Sequence, residues 1–143
     1  MELTTKRSFS QSARLTMLIG IISSALGVAF GAFGAHGLKQ LLSTSSLQIY
    51  QTGVDYQMWH SLALILIGLS LQCLKTSRLL MISSWLMLSG IILFSGSLYL
   101  FAITEIRWLG MITPIGGVSF LIAWILFAIA IVKSPITDHQ NGP

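Results

Sequence analysis

The sequence predicts an all-α polytopic membrane protein in which four transmembrane helices form a bundle. Four apolar segments, at residues 16–36, 54–73, 79–103 and 109–132, are each long enough to cross the hydrocarbon core of a bilayer, which takes about 20 helical residues. Hydrophobic residues make up 54% of the 143 residues and charged residues only 8%, whereas a soluble domain carries about 25% charged residues. The connecting segments are short, so residues 1–143 are expected to form a single membrane domain.

The first span could be mistaken for a secretory signal peptide because Lys6, Arg7 and Arg14 precede it. The apolar stretch of a signal peptide is about 7 to 15 residues long, whereas this one continues for about twenty. We therefore expect the segment to remain in the protein as a transmembrane helix.

Small residues recur along one face of the first span, at spacings of three, four, four and three residues. They are Gly20, Ser23, Gly27, Gly31 and Gly34. Such residues let helix backbones approach closely in membranes, so this face is predicted to pack against another helix. Ala25, Ala29 and Ala32 lie on a different face, and the first helix is therefore expected to be central, with neighbours on two sides.

The second span carries its polar residues at its start. The serine- and threonine-rich residues 43–46 are expected to cap a helix that runs from about Leu47 into the span. Tyr56 and His60 are four residues apart, so they share one face of this helix, and Asp55 lies beside it.

The third span carries hydroxyl groups on two faces. Ser95 and Tyr99 share one face, and Ser97 lies on another. Hydroxyl groups at such positions form hydrogen bonds between membrane helices, which average only about 0.6 kcal/mol each. We expect these bonds to fix the alignment of the helices rather than to hold the bundle together.

The fourth span contains Thr113 and Pro114, which fit the N-cap and the first position of a helix. A helix that begins near Trp108 and is kinked at Pro114 fits the same residues. In either case, Gly116 and Gly117 allow a neighbouring helix to approach closely.

The basic residues are distributed unevenly between the two sides that four spans define. Six of the eight lie around the start of the first span, in the loop between the second and third spans, and at the end of the fourth. They are Lys6, Arg7, Arg14, Lys75, Arg78 and Lys133. The opposite side holds only Lys39 and Arg107. The positive-inside rule therefore predicts that both termini lie in the cytoplasm.

With this topology, the polar motifs of all four spans are expected to meet in the outer leaflet as one polar layer. Its predicted members are His36, Asp55, Tyr56, His60, Ser95, Ser97, Tyr99 and Thr113. Two histidines could serve as axial ligands of a haem, or could join Asp55 in a metal site, but each could equally hydrogen-bond a neighbouring residue. No serine, histidine and acid are spaced as a catalytic triad requires, so we expect no enzyme. Because hydrogen bonding accounts for both histidines, we also expect no metal and no cofactor.

The remaining composition narrows the possible partners. The net charge is +4, but the basic residues are scattered rather than clustered, so no nucleic-acid partner is expected. Cys73 is the single cysteine, so no intrachain disulfide can form. The bilayer itself is the expected partner, together with other integral membrane proteins or a second copy of the chain.

Four segments, taken in order, resemble the YgdD family of small inner-membrane proteins, which are related to a mitochondrial transmembrane protein of eukaryotes. The segments are residues 31–36 (GAFGAH), 51–60 (QTGVDYQMWH), 94–99 (FSGSLY) and 113–120 (TPIGGVSF), with Trp124 following. The resemblance implies a four-helix protein of the bacterial cytoplasmic membrane. It implies no reaction, substrate or cofactor, so no catalytic residue is carried over from the family.

Three classes of function remain. The small-residue faces favour a structural or partner-binding membrane component. A binding module in the outer leaflet, for a lipid, quinone, haem or metal, is the second class. An oligomeric small-molecule transporter is the least favoured class, because Asp55 and Glu105 lie near the ends of their spans, whereas proton coupling needs an acidic residue inside the membrane.

Overall fold

The computed structural model describes residues 10–74 and 77–134 as a chain of helices. They are α1 (Gln11–Phe33), α2 (Thr44–Cys73), α3 (Ser77–Gly90), α4 (Gly96–Thr104) and α5 (Thr113–Lys133). A π-helical turn at Gly34–Leu38 extends α1, another at Ile91–Ser95 joins α3 to α4, and a 3-10 helix at Arg107–Met111 precedes α5. These ranges contain no strand, which confirms the all-α prediction for the described part of the chain. Lys6, Arg7 and Lys75 of the predicted topology lie outside it.

Three helical segments are long and apolar enough to cross a membrane: Gln11–Leu38, Arg78–Thr104 and Arg107–Lys133. They correspond to the first, third and fourth predicted spans. The second predicted span, residues 54–73, lies within α2, which is not among the three. α2 has 30 residues and begins ten residues before the predicted span, where the Ser43 hydroxyl accepts a hydrogen bond from the Ser46 backbone N–H at 3.1 Å.

The central helix is α2, so the prediction that the first helix is central was wrong. Twelve residues of α2 are buried, against five of α1. α2 packs against α1, α3 and α4, whereas α1 packs mainly against α2. The small residues of α1 therefore identify one contact face, and its alanine face, with Ala25, Ala29 and Ala32, is exposed.

α1 and α2 run antiparallel with their backbones in close contact. A methyl group added at Gly20 would lie 2.9 Å from the Ser61 carbonyl oxygen, and one added at Gly34 would lie 2.8 Å from the Tyr50 ring. Further along α2, a methyl group at Gly68 would lie 3.0 Å from the backbone nitrogen of Met17 in α1. The contact therefore extends over most of both helices, as small residues in membrane helices allow.

In the second half of the bundle, α5 packs against α3 and against the π-helical turn Ile91–Ser95, which is called the π-helical turn from here on. Gly90 lies under the Phe120 ring, and Gly116 lies against the backbone of Phe94 in the π-helical turn. Ser83, which is fully buried, donates a hydrogen bond of 2.7 Å to the Ala123 carbonyl oxygen. Gly90 thus makes room for the Phe120 ring, and Gly116 makes room for the backbone of Phe94.

Candidate functional site

The structure places the predicted polar residues in several separate settings rather than in one layer. His36 is exposed, and so is Asp55, whose carboxylate accepts a hydrogen bond of 3.0 Å from the Gln51 side chain. Ser97 and Thr113 pair through their hydroxyl groups at 2.8 Å and so connect α4 to the start of α5. Thr113 is the first residue of α5 and not its N-cap, because the preceding 3-10 helix leads directly into it.

The two histidines lie at different levels of the bundle. Gly34 packs against Tyr50 in the antiparallel α2, so His36 lies near the level of residue 48. His60 is about twelve residues further along α2, a separation of roughly 18 Å at 1.5 Å per residue. The two side chains therefore cannot hold one haem or metal between them. Among the described residues, no three His, Cys, Asp or Glu side chains are grouped as a metal site requires.

The most connected buried polar group is Gln57, which the sequence analysis did not select. Its side chain is 4% exposed; the amide nitrogen donates to the Ser23 carbonyl oxygen at 2.8 Å, and the amide oxygen accepts from the Tyr99 hydroxyl at 2.8 Å. Ser61 donates to the Ser23 hydroxyl at 2.7 Å. These bonds connect α1, α2 and α4, and they satisfy both ends of the amide, as a buried polar group requires. These hydrogen bonds link the three helices, and both polar atoms of the Gln57 amide are engaged in them.

A double-mutant cycle tests the bond between Gln57 and Tyr99. We expect Gln57→Leu and Tyr99→Phe each to lower the free energy of unfolding, with a coupling of about 0.6 kcal/mol between them, the average for interhelical hydrogen bonds in membranes. The cycle is measured by denaturation with sodium dodecyl sulfate in mixed micelles. Additive effects of the two substitutions would show that the bond contributes nothing.

Ser95 is fully buried within the π-helical turn, and its hydroxyl has no hydrogen-bond partner among the described residues. Its backbone carbonyl lies opposite Gly53 of α2, where an added methyl group would be 3.3 Å away. Tyr99, predicted to share its face, lies against the same Gly53 and donates a hydrogen bond to Gln57.

A groove of about 780 Å³ lies between α2, the π-helical turn and α5. Most of its wall consists of ring side chains, contributed by Tyr56, Trp59, His60, Phe94, Phe120 and Trp124. Trp59 is 69% exposed and Leu121 65% exposed, so the groove opens sideways onto the outer surface of the bundle. Tyr56 and His60 from the sequence prediction thus belong to a site whose other rings come from distant parts of the chain.

The π-helical turn brings Phe94 into this groove. Its ring stacks on Tyr56 with the centroids 4.4 Å apart. Gly116 allows α5 to contact the backbone of Phe94 directly, which brings Phe120 near it, with ring centroids 5.7 Å apart. π-helical turns within α-helices often occur at functional sites, and here the turn supplies one wall of the groove.

His60 forms the polar part of the groove. Its ring stacks on Phe120, with the centroids 3.5 Å apart and the planes inclined by 15°. Nδ1 lies 2.7 Å from the carbonyl oxygen of Tyr56. A carbonyl oxygen can only accept, so Nδ1 carries the hydrogen, and in the neutral ring Nε2 is the acceptor. The geometry can hold and orient a ring-bearing molecule, but it contains no acid or nucleophile beside the imidazole.

These features define a class of protein: an integral membrane protein that crosses the bilayer more than once, with an aromatic groove on its side and no catalytic centre in the described part. Comparison with known proteins places the chain more closely. Residues 30–117 match the model of a family described as a protein of unknown function, DUF423. The chain belongs to this family of small membrane proteins.

The regions aligned with this chain span nearly the whole length of its bacterial relatives. The UPF0382 membrane protein YwdK of Bacillus subtilis is 43% identical over 120 residues, which are 84% of this chain and 98% of the relative. A UPF0382 membrane protein of Staphylococcus aureus is 44% identical, with 84% and 97% covered. No solved structure matches the chain. The protein is thus a multi-pass protein of the bacterial cytoplasmic membrane, as the sequence predicted.

Proposed function

We propose that the chain forms a single membrane domain with four spans, of which α2 is the second, and with both termini in the cytoplasm. The close antiparallel contact of α2 with α1 supports this proposal, because a helix that follows a span along most of its length crosses the same hydrocarbon layer. The lower apolarity of α2 has a physical reason. Its twelve buried residues face other helices, so fewer of its residues need to be lipid-compatible.

Reporter fusions test this topology. We expect reporters joined after Lys39 and after Arg107 to be outside the cell, and reporters joined after Arg78 and Lys133 to be in the cytoplasm. Alkaline phosphatase and green fluorescent protein report the two compartments in opposite ways, so each position is measured twice. Reporters after Lys39 and Arg78 in the same compartment would exclude α2 as a span.

We further propose that the protein is a binding module rather than an enzyme, and that its lateral groove holds a membrane-dissolved molecule with a flat ring. The observation that carries this proposal is the wall of six ring side chains, of which His60 supplies an imidazole nitrogen that can accept a hydrogen bond. The volume of about 780 Å³ falls within the range of about 300 to 1,000 Å³ of small-molecule sites. Because the groove opens sideways, a molecule can enter it from the lipid.

Filling the groove should abolish this binding. Gly117 lines the groove, and an added methyl group would be 3.8 Å from the Phe94 ring, which is an ordinary contact. We expect Gly117→Phe to leave the fold intact and to weaken binding of 2-methoxynaphthalene at least tenfold. The measurement is equilibrium binding to the protein in lipid nanodiscs, with empty nanodiscs as the reference for partition into lipid.

Ile115→Phe is the matched control, since Ile115 is on the same helix, is 59% exposed and does not line the groove. This variant should bind the probe as the unmodified protein does. Equal, non-saturable uptake by the unmodified protein and by Gly117→Phe would contradict the binding role.

A structural or partner-binding role is the second candidate, and the exposed alanine face of α1 supports it. At 100° per residue, Ala25, Ala29 and Ala32 lie on the side of α1 opposite the glycines that contact α2. Another integral membrane protein, or a second copy of the chain, could approach closely there. The resemblance to the YgdD proteins is compatible with both candidates.

A further inference from the structure

The groove has hydrogen-bonding groups of two kinds. Tyr56 carries a hydroxyl, which can donate or accept, and Trp59 and Trp124 carry indole N–H groups, which only donate. Phospholipid carbonyl and phosphate oxygens can satisfy such donors wherever aromatic residues meet a membrane interface. These three groups therefore do not discriminate between occupants of the groove.

His60 is different because its free nitrogen needs a donor. Nδ1 is engaged by the Tyr56 carbonyl at 2.7 Å, so the neutral imidazole presents Nε2 as an acceptor. Nε2 makes no hydrogen bond with any described residue. It is also not among the fully enclosed polar atoms without a partner, which in the described part are the hydroxyl oxygens of Ser24 and Ser95. Nε2 is therefore not completely enclosed, and His60 lines the groove.

The acyl chains and ester groups of the lipids cannot supply the missing donor, since lipid donors are confined to the ammonium and hydroxyl groups of the headgroups at the membrane surface. The ester and phosphodiester oxygens of phospholipids accept hydrogen bonds and have no hydrogen to donate, so they repel the lone pair of Nε2. An occupant with a ring hydroxyl both donates to Nε2 and stacks against the neighbouring aromatic rings, such as Tyr56 and Phe94. A quinone carbonyl, by contrast, can only accept.

Resting on the proposed binding role of the groove, we propose that its occupant is a lipid-soluble phenol, a class that includes reduced quinones, and that the phenolic hydroxyl donates to Nε2 of His60. The fixed tautomer makes the site selective for the donor form of a ring over its methylated or oxidised form. His60 is thus the residue that determines specificity, and the surrounding rings provide the general affinity for flat molecules.

The test compares 2-naphthol with 2-methoxynaphthalene, which share a ring system and differ in one donor. Binding of both probes is measured in nanodiscs for the unmodified protein, for His60→Phe, and for His36→Phe as a control on an exposed histidine. Phenylalanine keeps a flat ring against Phe120 and removes both nitrogens. The ratio of the two affinities in each variant, relative to the unmodified protein, cancels the different partition of the probes into lipid.

The affinity ratio is the affinity for 2-naphthol divided by that for 2-methoxynaphthalene. We expect this ratio to be about three- to tenfold higher in the unmodified protein and in His36→Phe than in His60→Phe, which is the range expected for one neutral hydrogen bond. An unchanged ratio in His60→Phe, with both probes still bound, would overturn this inference and leave the binding role of the groove standing. Absence of saturable binding of either probe would overturn both.

A second measurement does not depend on a variant. In the unmodified protein with ¹⁵N-labelled histidine, 2-naphthol should shift the resonance of the unprotonated Nε2 of His60, and 2-methoxynaphthalene should not. A spectrum with the hydrogen on Nε2 instead of Nδ1 would overturn the proposal directly.

Discussion

Gly116→Ala is expected to destabilise the protein by about 2 to 3 kcal/mol, although it adds only one methyl group. The new carbon would lie 2.8 Å from the Cα of Phe94 and closer still to its backbone nitrogen. Because these are backbone atoms, no rotation of a side chain can relieve the contact. Either α5 or the π-helical turn has to move, and the overpacking cost exceeds the gain of up to about 1 kcal/mol that alanine brings to a helix.

The adjacent glycine provides the matched control. Gly117→Ala introduces the same methyl group into the same helix, where its nearest neighbour, the Phe94 ring, is 3.8 Å away. This variant should be as stable as the unmodified protein or more stable, by up to about 1 kcal/mol. Unfolding by sodium dodecyl sulfate in mixed micelles measures both. Equal stabilities of the two variants would show that α5 does not contact the backbone of Phe94.

The second large effect is expected at the contact between α1 and α2. Gly20→Leu places a bulky side chain where even a methyl group would lie 2.9 Å from the Ser61 carbonyl oxygen and 3.0 Å from the Ile65 backbone nitrogen. We expect a loss of about 3 kcal/mol in stability, because extra carbons in a closely packed contact force the backbones apart. α1 packs mainly against α2, so it should separate locally while the contact of α3 with α5 persists.

Hydrogen–deuterium exchange resolves this expected separation along the chain. Faster exchange should be confined to α1 and the facing side of α2 in Gly20→Leu. Ala25→Leu, on the exposed face of α1, should leave the exchange of the isolated protein unchanged. Uniformly faster exchange of all helices would contradict the local separation, and an unchanged pattern would contradict the close contact itself.

The sequence predicted the position of a membrane-spanning helix well where the apolar residues extend over nearly the full length of that helix. The first, third and fourth predicted spans correspond to the three segments that are long and apolar enough to cross a membrane. α2 begins at Thr44, three residues before the predicted start near Leu47, and Ser43 is its N-cap, within the residues 43–46 that were expected to cap it. Hydropathy detects apolar composition and not helix length, so the polar N-terminal part of α2 lies outside the apolar run.

The position of each polar residue could not be predicted in the same way. His36 and His60 both end or begin an apolar run, but their depth depends on the register between α1 and α2, which is set by contacts such as Gly34 with Tyr50. Gln57 was not selected from the sequence, whereas the fold makes it the link between Ser23 and Tyr99. A large amide in an apolar segment is the signal that could have identified it, because such a group needs buried partners.

The π-helical turn Ile91–Ser95 has a consequence for how the family can change in length. Such a turn accommodates one more residue than an α-helical turn, so it shifts the phase of everything after it by about 100°. α3 can therefore pack against α5, while α4, in the same continuous helical segment, packs against α2. Deleting one residue within 91–95 would convert the π-helical turn into a regular α-helical turn. This change would rotate Tyr99 away from Gln57. Insertions and deletions should thus be tolerated in the loops on either side of α3 and α4, and they should destabilise the protein within the π-helical turn.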